Sequence, residues 1–330
     1  MEVNFDTKDK RILAALDKDA TLPLRALAKQ TGLSSQVALY RLNRLIEQKT
    51  IYGFFGMPDL GKLGYSLFRM HIRLKDAQEP TINNFSKYLF EEYPTYWIGL
   101  VLGPFDMVVD IFAKTPDEFE GYVNKILASH KTLIASYEIL IMLELNIYSY
   151  GYFLNPVFER NKTTLYRQIT NPTKLDKIDV KILHAISKNA RITNQQLGES
   201  CDLTRNAAKS HLLALRKEKI LEGKIAMVDF RQFNRVSYKI FVRYDTTWAQ
   251  EEQKLIAFLD STPGIISIAK YLGAWNLDIE IQVPNAKELQ KFIISLRTKF
   301  HILGEYSIVQ LLEDYQIDFF PKHILKELTK

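Results

Sequence analysis

Apolar residues recur along this chain with a helical period and then with a period of two, and that succession occurs twice. Asp6 and Asp176 each precede a stretch whose apolar positions share one helical face. These are Ile12, Leu13 and Leu16 in the first stretch and Val180, Ile182, Leu183 and Ile186 in the second. An acidic residue follows each aspartate by three positions, and a carboxylate at either place suits the free amides of a first turn. A second short helix is expected at about Leu24 to Gln30 and Asn194 to Ser200, with Thr193 as an N-cap. Tight turns follow at Thr31-Gly32-Leu33 and Cys201-Asp202-Leu203, and Ser34 and Thr204 then open a third helix. Its inward positions are Val37, Ala38, Leu42 and Leu45, matched by Ala207, Ala208, Leu212 and Leu215. Three helices with a short turn before the third make a helix-turn-helix. Ile51 to Met57 and Leu221 to Met227 read as a strand, either a wing or a connection onward.

The period-two regions come next. Strands are expected at Tyr65 to Leu74 and Val236 to Tyr244, then helices near Ile82 to Tyr93 and Ala249 to Leu259. Two further strands bracket a glycine turn in each copy: Tyr96 to Leu102 with Met107 to Phe112, and Ile265 to Leu272 with Leu277 to Val283. Thr115-Pro116-Asp117-Glu118 and Asn285-Ala286-Lys287-Glu288 each look like an N-cap with Glu three residues on. Final strands are expected at Ser136 to Leu145 and Glu305 to Glu313. The order βαββαβ is that of a ferredoxin-like split unit, which leaves one sheet face without helices. That apolar face has to be covered by something.

The two halves are copies. Asp6 to Gly53 aligns without a gap on Asp176 to Gly223 at an offset of 170, with 14 identities in 48 positions. Met57/Met227, Gly103/Gly273 and Glu144/Glu313 extend the match along almost the whole chain. The predicted class is therefore α+β, with a winged helix-turn-helix followed by a ferredoxin-like βαββαβ domain, twice. The boundaries read 1–57 and 58–151 for the first unit, 152–174 for a linker, and 175–228 and 229–330 for the second. Tyr152 to Lys174 is polar and carries Asn155-Pro156 and Asn171-Pro172, which favour extended backbone. Fully extended, it reaches roughly 75 Å, enough for the second unit to fold back on the first as an intrachain pseudo-dimer. Pairing between chains would cover the same faces equally well.

Composition narrows the function. The 330 residues carry a formal net charge of +6, which mildly favours polyanionic partners. A single cysteine, Cys201, excludes an intrachain disulfide and a cysteine-based zinc site. The polar N-terminus is no signal peptide, and the most apolar run, Leu133 to Ile147, holds Glu138 and Glu144. A cytoplasmic protein with no membrane partner is expected. On the outer face of the third helix stand Ser35, Gln36, Tyr40, Arg41 and Arg44 in copy one. Copy two has Arg205, Asn206, Lys209, Ser210 and His211. Such groups hydrogen-bond base edges and phosphates in a major groove, so duplex DNA is the expected partner. Residues 34–49 carry a net +2 and residues 204–219 a net +4. A protein-binding scaffold using the same domains is the competing reading, favoured if Trp97 or Trp248 is exposed.

Leu175 to Gly223 (LDKIDVKILHAISKNARITNQQLGESCDLTRNAAKSHLLALRKEKILEG) resembles the N-terminal domain of leucine-responsive regulatory proteins, the Lrp/AsnC family. It shares their LDxxDxxIL opening, an A-R-I-T/S-N-x-x-L second helix and an L-[ST] entry to the recognition helix. Copy one diverges, with Leu22-Pro23-Leu24 where the family has a polar helix start. The resemblance implies a transcriptional regulator whose βαββαβ domain dimerises and binds an amino acid or similar small effector. The family's glycine turn corresponds to Gly103, Phe105 and Asp106, and to Gly273, Trp275 and Asn276, where the acid is lost. A plain hairpin turn explains the same residues. Siroheme decarboxylases resemble this family too, but their His-Asn-Tyr-x-Arg motif is absent from Leu67 to Arg73 and from Ser237 to Arg243. His71 could serve as a proton donor there, although a surface or half-buried strand position is the commoner role. No phosphate loop, GxGxxG, GxSxG or paired-histidine metal motif occurs, so neither an enzyme, a cofactor nor a metal is expected.

Overall fold

A computed structural model of the chain describes residues 5–154, 161–169, 171–244, 249–301 and 303–330. Head one contains α1 (Thr7–Lys18), α2 (Leu24–Thr31) and α3 (Ser35–Glu47). Head two contains α6 (Lys177–Lys188), α7 (Asn194–Ser200) and α8 (Arg205–Lys217). The helix starts form as their residues require. Asp6 accepts from the amides of Lys8 and Asp9, Thr193 and Gln196 cap each other reciprocally, and Ser34 and Thr204 accept from Val37 and Ala207.

After the third helix of each head comes one strand, β1 (Ile51–Pro58) or β7 (Leu221–Val228). They pair antiparallel with each other, Gly53 opposite Met227 and Met57 opposite Gly223. Of the two roles left open by the sequence, these strands take that of a connection, forming one ribbon between the heads. The heads are crossed over it. Ile12 and Leu13 of α1 cluster with Ala226 and Val228 of the other copy, while α6 packs on β1.

Copy one continues with β2 (Ser66–Leu74), α4 (Glu79–Glu92), β3 (Thr95–Leu102), β4 (Met107–Ala113), α5 (Pro116–His130) and β5 (Ile134–Tyr148). Copy two repeats this as β8 (Val236–Tyr244), α9 (Ala249–Ser261), β9 (Ile265–Leu272), β10 (Leu277–Val283), α10 (Ala286–Lys299) and β11 (Leu303–Ile317). The long strands β5 and β11 outrun their expected ends for a structural reason. β5 pairs with β2 through its first residues and with β9 from Ile141 to Ile147. β11 likewise pairs with β8 and, from Gln310 to Ile317, with β3. Each long strand thus passes from its own sheet onto the other, and eight strands close into a ring.

Alternate residues point to opposite sides of this ring. Phe68, Met70 and Ile72 of β2 meet Phe85, Leu89 and Phe119 under the helices of copy one, and Ile240, Val242, Leu255 and Leu289 do the same in copy two. Inside the ring the sequence expects an apolar face. Leu67, Phe112, Leu140, Phe241 and Val309 supply one, but Arg69, His71, Asp110, Lys239 and Asp278 are buried with them.

Two further segments depart from expectation. The supposed linker is partly sheet: Lys162–Arg167 forms β6 on β5, with Leu165 and Tyr166 buried and the Leu67 amide donating to the Tyr166 hydroxyl at 3.2 Å. Its mixed polarity is that of a short edge strand, and a register irregularity at Leu165 lets two adjacent residues be buried; Asn155-Pro156 lies outside the described residues. A terminal helix, α11 (Lys322–Leu328), follows buried Phe319 and Phe320 and packs on α6. It is short and begins after Pro321 with no side-chain cap, so it leaves little trace in the sequence.

Candidate nucleic-acid interface

Helix α8 buries Ala208, Leu212 and Leu215 and turns the opposite face to solvent. Arg205, Asn206, Lys209 and Ser210 are exposed on it, followed by Arg216 and Lys217. Among the described residues, none of these six side chains has an ion-pair or hydrogen-bond partner. Only His211 of the expected group turns inward: its Nδ1 lies 2.7 Å from Asp179 Oδ1. Asp176, Asp179 and His211 bring their polar atoms within 4.8 Å of one another at the base of the helix.

Helix α3 presents a different surface. Ser35, Gln36 and Tyr40 are exposed, Tyr40 to 68%, but so are Val37, Leu39 and Ile46. The two arginines expected to face DNA point back at α1. Arg41 bridges Asp6 at 2.8 Å and Asp9 at 2.9 Å, and Arg44 reaches Asp9 at 2.5 Å. The Asp9 amide, and then Arg41, hold the Asp6 carboxyl below its ordinary range. Asp9 itself is only 1% exposed, so both half-buried arginines are tied to the body of the head and not held out toward solvent.

The glycine turns lie where the two copies meet. A Cβ on Gly103 would stand 2.7 Å from Val309 Cγ1, and one on Gly273 would stand 2.8 Å from Leu140 Cδ2. Gly273 has φ +138°, whereas Gly103 is not in the left-handed region, so close approach explains the first glycine and conformation adds to it in the second. Asp106 accepts from the Leu74 amide at 2.7 Å, and Asn276 accepts from Tyr244 at 2.8 Å. An amide oxygen serves there as well as a carboxylate, which is why losing the acid leaves the turn intact. Phe105 stacks on His71 with centroids 4.2 Å apart, and Trp275 Nε1 donates to Glu138 at 3.1 Å.

His71 is 2% exposed rather than at the surface. Burial pushes its pKa down, and Glu138, 3.0 Å away, is held low by the imidazole. Trp97 is buried too, so it offers no scaffold surface; Trp248 lies outside the described residues.

Sequence reasoning missed the centre of the ring. Arg69 donates to both Asp110 oxygens through Nε and Nη2, at 2.7 Å each, and contacts Asp278 through Nη1. The pseudo-symmetric Lys239 binds Glu280 at 3.1 Å and Asp278 at 3.2 Å. Each pair repeats the other at the offset of 170, and Asp278 joins the two. Isolated charges in apolar strands were the available signal, but alternation alone assigns such residues to a wet face.

No helix among the described residues is long and apolar enough to cross a membrane. Residues 5–51 and 175–222 match the winged helix-turn-helix DNA-binding family. The chain is similar to the HTH-type transcriptional regulator FL11 of Pyrococcus abyssi, 32% identical over 130 residues covering 38% of this chain and 82% of that protein. It is similar to the proline dehydrogenase transcriptional activator of Rhizobium radiobacter, 27% identical over 109 residues, covering 33% and 70%. Among solved structures, the siroheme decarboxylase NirDL covers 98% of this chain with 97% of its own, at TM-score 0.62 and 12% identity. A likeness at that identity speaks for shared architecture alone.

Proposed function

The chain belongs to the Lrp/AsnC family of helix-turn-helix transcriptional regulators, carrying the family's unit twice in tandem, and from that premise we propose that it reads duplex DNA unequally, chiefly through α8. The observation that carries this reading is the outward face of α8. Arg205 and Asn206 open the helix, where side chains reach base edges, and their donors and acceptors suit guanine and adenine respectively. Lys209, Arg216 and Lys217 add cations for flanking phosphates. The β1–β7 ribbon pairs the two heads within the chain, which supports a single-chain pseudo-dimer, and a cytoplasmic place of action goes with the regulator reading. Because the heads differ, its operator need not be palindromic.

An effector at the glycine turns is what the family implies. Asp106 and Asn276 are already engaged by main-chain amides, so an amino acid there would be read by the remaining main-chain groups. A decarboxylase reading is not favoured by the centre of the ring, whose lining holds Asp110, Glu280, Glu313 and Asp314, while its cations Arg69, Lys239 and Arg231 are already paired with Asp110, Asp278, Glu280 and Asp229. A porphyrin polycarboxylate would meet like charge there.

The test is an electrophoretic shift assay on the chain's own upstream region with a salt titration. Affinity should fall steeply with salt as counterions are released. Failure of folded protein to shift any genomic fragment at low salt would sink this reading.

A further inference from the structure

Beneath the β1–β7 ribbon, the ring of strands lines an open pocket of about 120 Å³, with exposed Tyr52 and Arg231 in its wall and room for a ligand of several non-hydrogen atoms. Its floor is the ionic centre already described. Both cations there are fully committed, Arg69 to Asp110 and Asp278, and Lys239 to Asp278 and Glu280. Two carboxylates of β11, exposed Glu313 and Asp314, have no cation partner among the described residues. Asp314 of β11 has a single hydrogen-bond partner among the described residues, the Trp97 Nε1 at 2.8 Å. Asp314 lines this pocket and keeps solvent-accessible surface there. Burial, and then the charge of Glu280, push its pKa up to about 6.

A second observation points to an occupant. Tyr96 lines the same cavity, is only 5% exposed, and its hydroxyl makes no hydrogen bond among the described residues. The phenol oxygen has no protein partner, so the pocket offers a polar hydroxyl as well as a carboxylate that pairs with no cation. Apolar walls from Ile225, Ile266 and Ile317 complete it.

We propose that this cavity binds a small organic cation, a protonated amine on a short aliphatic stem, with its charge on Asp314 and its stem against the isoleucines. A zwitterion would bring its own carboxylate toward Glu280 and Asp314 with no uncommitted cation to receive it. The ribbon roofing the cavity continues directly from α3 and α8, so occupancy would bear on the angle between the heads. That regulatory consequence rests on the DNA-binding reading; binding of the amine does not.

The experiment uses the full chain without DNA and an isosteric series: n-butylamine, n-butanol and butyrate, by calorimetry at pH 8. The amine should bind at least tenfold more tightly than the alcohol, and butyrate should not bind. Asp314→Asn should abolish the preference for the amine while melting as a folded protein. Ile225→Trp, which fills the cavity from the ribbon side, should abolish binding of both amine and alcohol. Equal binding of amine and alcohol, no binding of the amine up to 10 mM (about −2.7 kcal/mol), or unchanged binding in either variant would overturn the proposal. A shift assay on the same protein would then show separately whether DNA binding survives.

Discussion

The two heads share caps, turns and buried apolar positions, yet their recognition helices show solvent different surfaces, more cationic on α8 and more apolar on α3. The difference lies in where the cations are used. In head one Arg41 and Arg44 brace α3 against Asp6 and Asp9 of α1. In head two the corresponding residues are His211, which reaches only Asp179, and Ala214, which reaches no carboxylate. Arg205, Lys209 and Arg216 instead occupy positions that hold Ser35, Leu39 and Ile46 in head one. Net charges of +2 and +4 therefore understate the contrast, since both arginines in the lower count are half-buried and paired with Asp6 and Asp9. Counting charge along a helix says little about recognition until the partners of each charge are known.

The largest expected effect tests that contrast directly. Combining Arg205→Ala with Lys209→Ala should lower DNA affinity by roughly 2–5 kcal/mol, since one base-reading pair contributes about 1–3 kcal/mol. Gln36→Ala with Tyr40→Ala should cost under about 0.5 kcal/mol, a surface-level effect. Equal losses in a shift assay would erase the asymmetry. Next in size is a stability effect confined to head one. Asp9→Asn leaves two guanidinium groups short of their buried partner and should destabilise the chain by roughly 1–3 kcal/mol, discounted for the arginines' partial exposure. Urea denaturation measures it, and DNA affinity should hold if α8 does the reading.

Smaller effects sharpen the picture. Arg216→Ala should reduce the slope of log affinity against log salt by about 1, equally for specific and unrelated DNA. Lys49→Ala in head one should leave that slope unchanged. His211→Arg would rebuild the head-one contact, and its guanidinium should be drawn back to Asp176 and Asp179. DNA affinity should then stay within about twofold, whereas a clear gain would mean that residue 211 faces the groove.

A second contrast lies in the ring, where Asp314 stands at the position of Leu145. Its pKa, raised to about 6 by burial and by Glu280, gives a definite sign. The folded state keeps the proton to about pH 6 while the unfolded chain releases it near 3.8, so stability is lost as pH rises between those values. Trp97, Lys239 and Arg231 oppose this shift without cancelling it. Asp314→Asn should therefore melt progressively higher than the natural chain between pH 4 and 6, with a constant gap above. Burial lowers the pKa of His71, so that group acts oppositely, losing stability as pH falls below about 6.5, but it is common to both proteins.

The local elements were legible because local chemistry sets them. Asp6, Ser34, Thr193, Thr204 and Asn285 cap helices through contacts within three residues, and short apolar runs suffice to recognise β2, β4, β8 and β10. The exposed face of α8 was legible for the same reason, because helix geometry fixes which residues share a side. Arg41 and Arg44 misled because their partners lie 32 to 35 residues away, beyond any helical period. Edge strand β6 was missed because one buried pair, Leu165 and Tyr166, does not stand out among polar neighbours.

By itself the sequence determined a duplicated unit of helix-turn-helix and βαββαβ. Caps, periodicities and an offset of 170 are properties of neighbouring residues and of their repetition. Only the tertiary structure decided how the copies share one interior. It passed β5 and β11 from one sheet to the other, crossed the heads over a common ribbon and set Arg69, Lys239 and Asp278 together at the pseudo-symmetric centre. Those charges lie up to 209 residues apart along the chain. Alternation shows that such residues share a strand face. Whether that face is wet or dry depends on what closes over it, and here the second copy does.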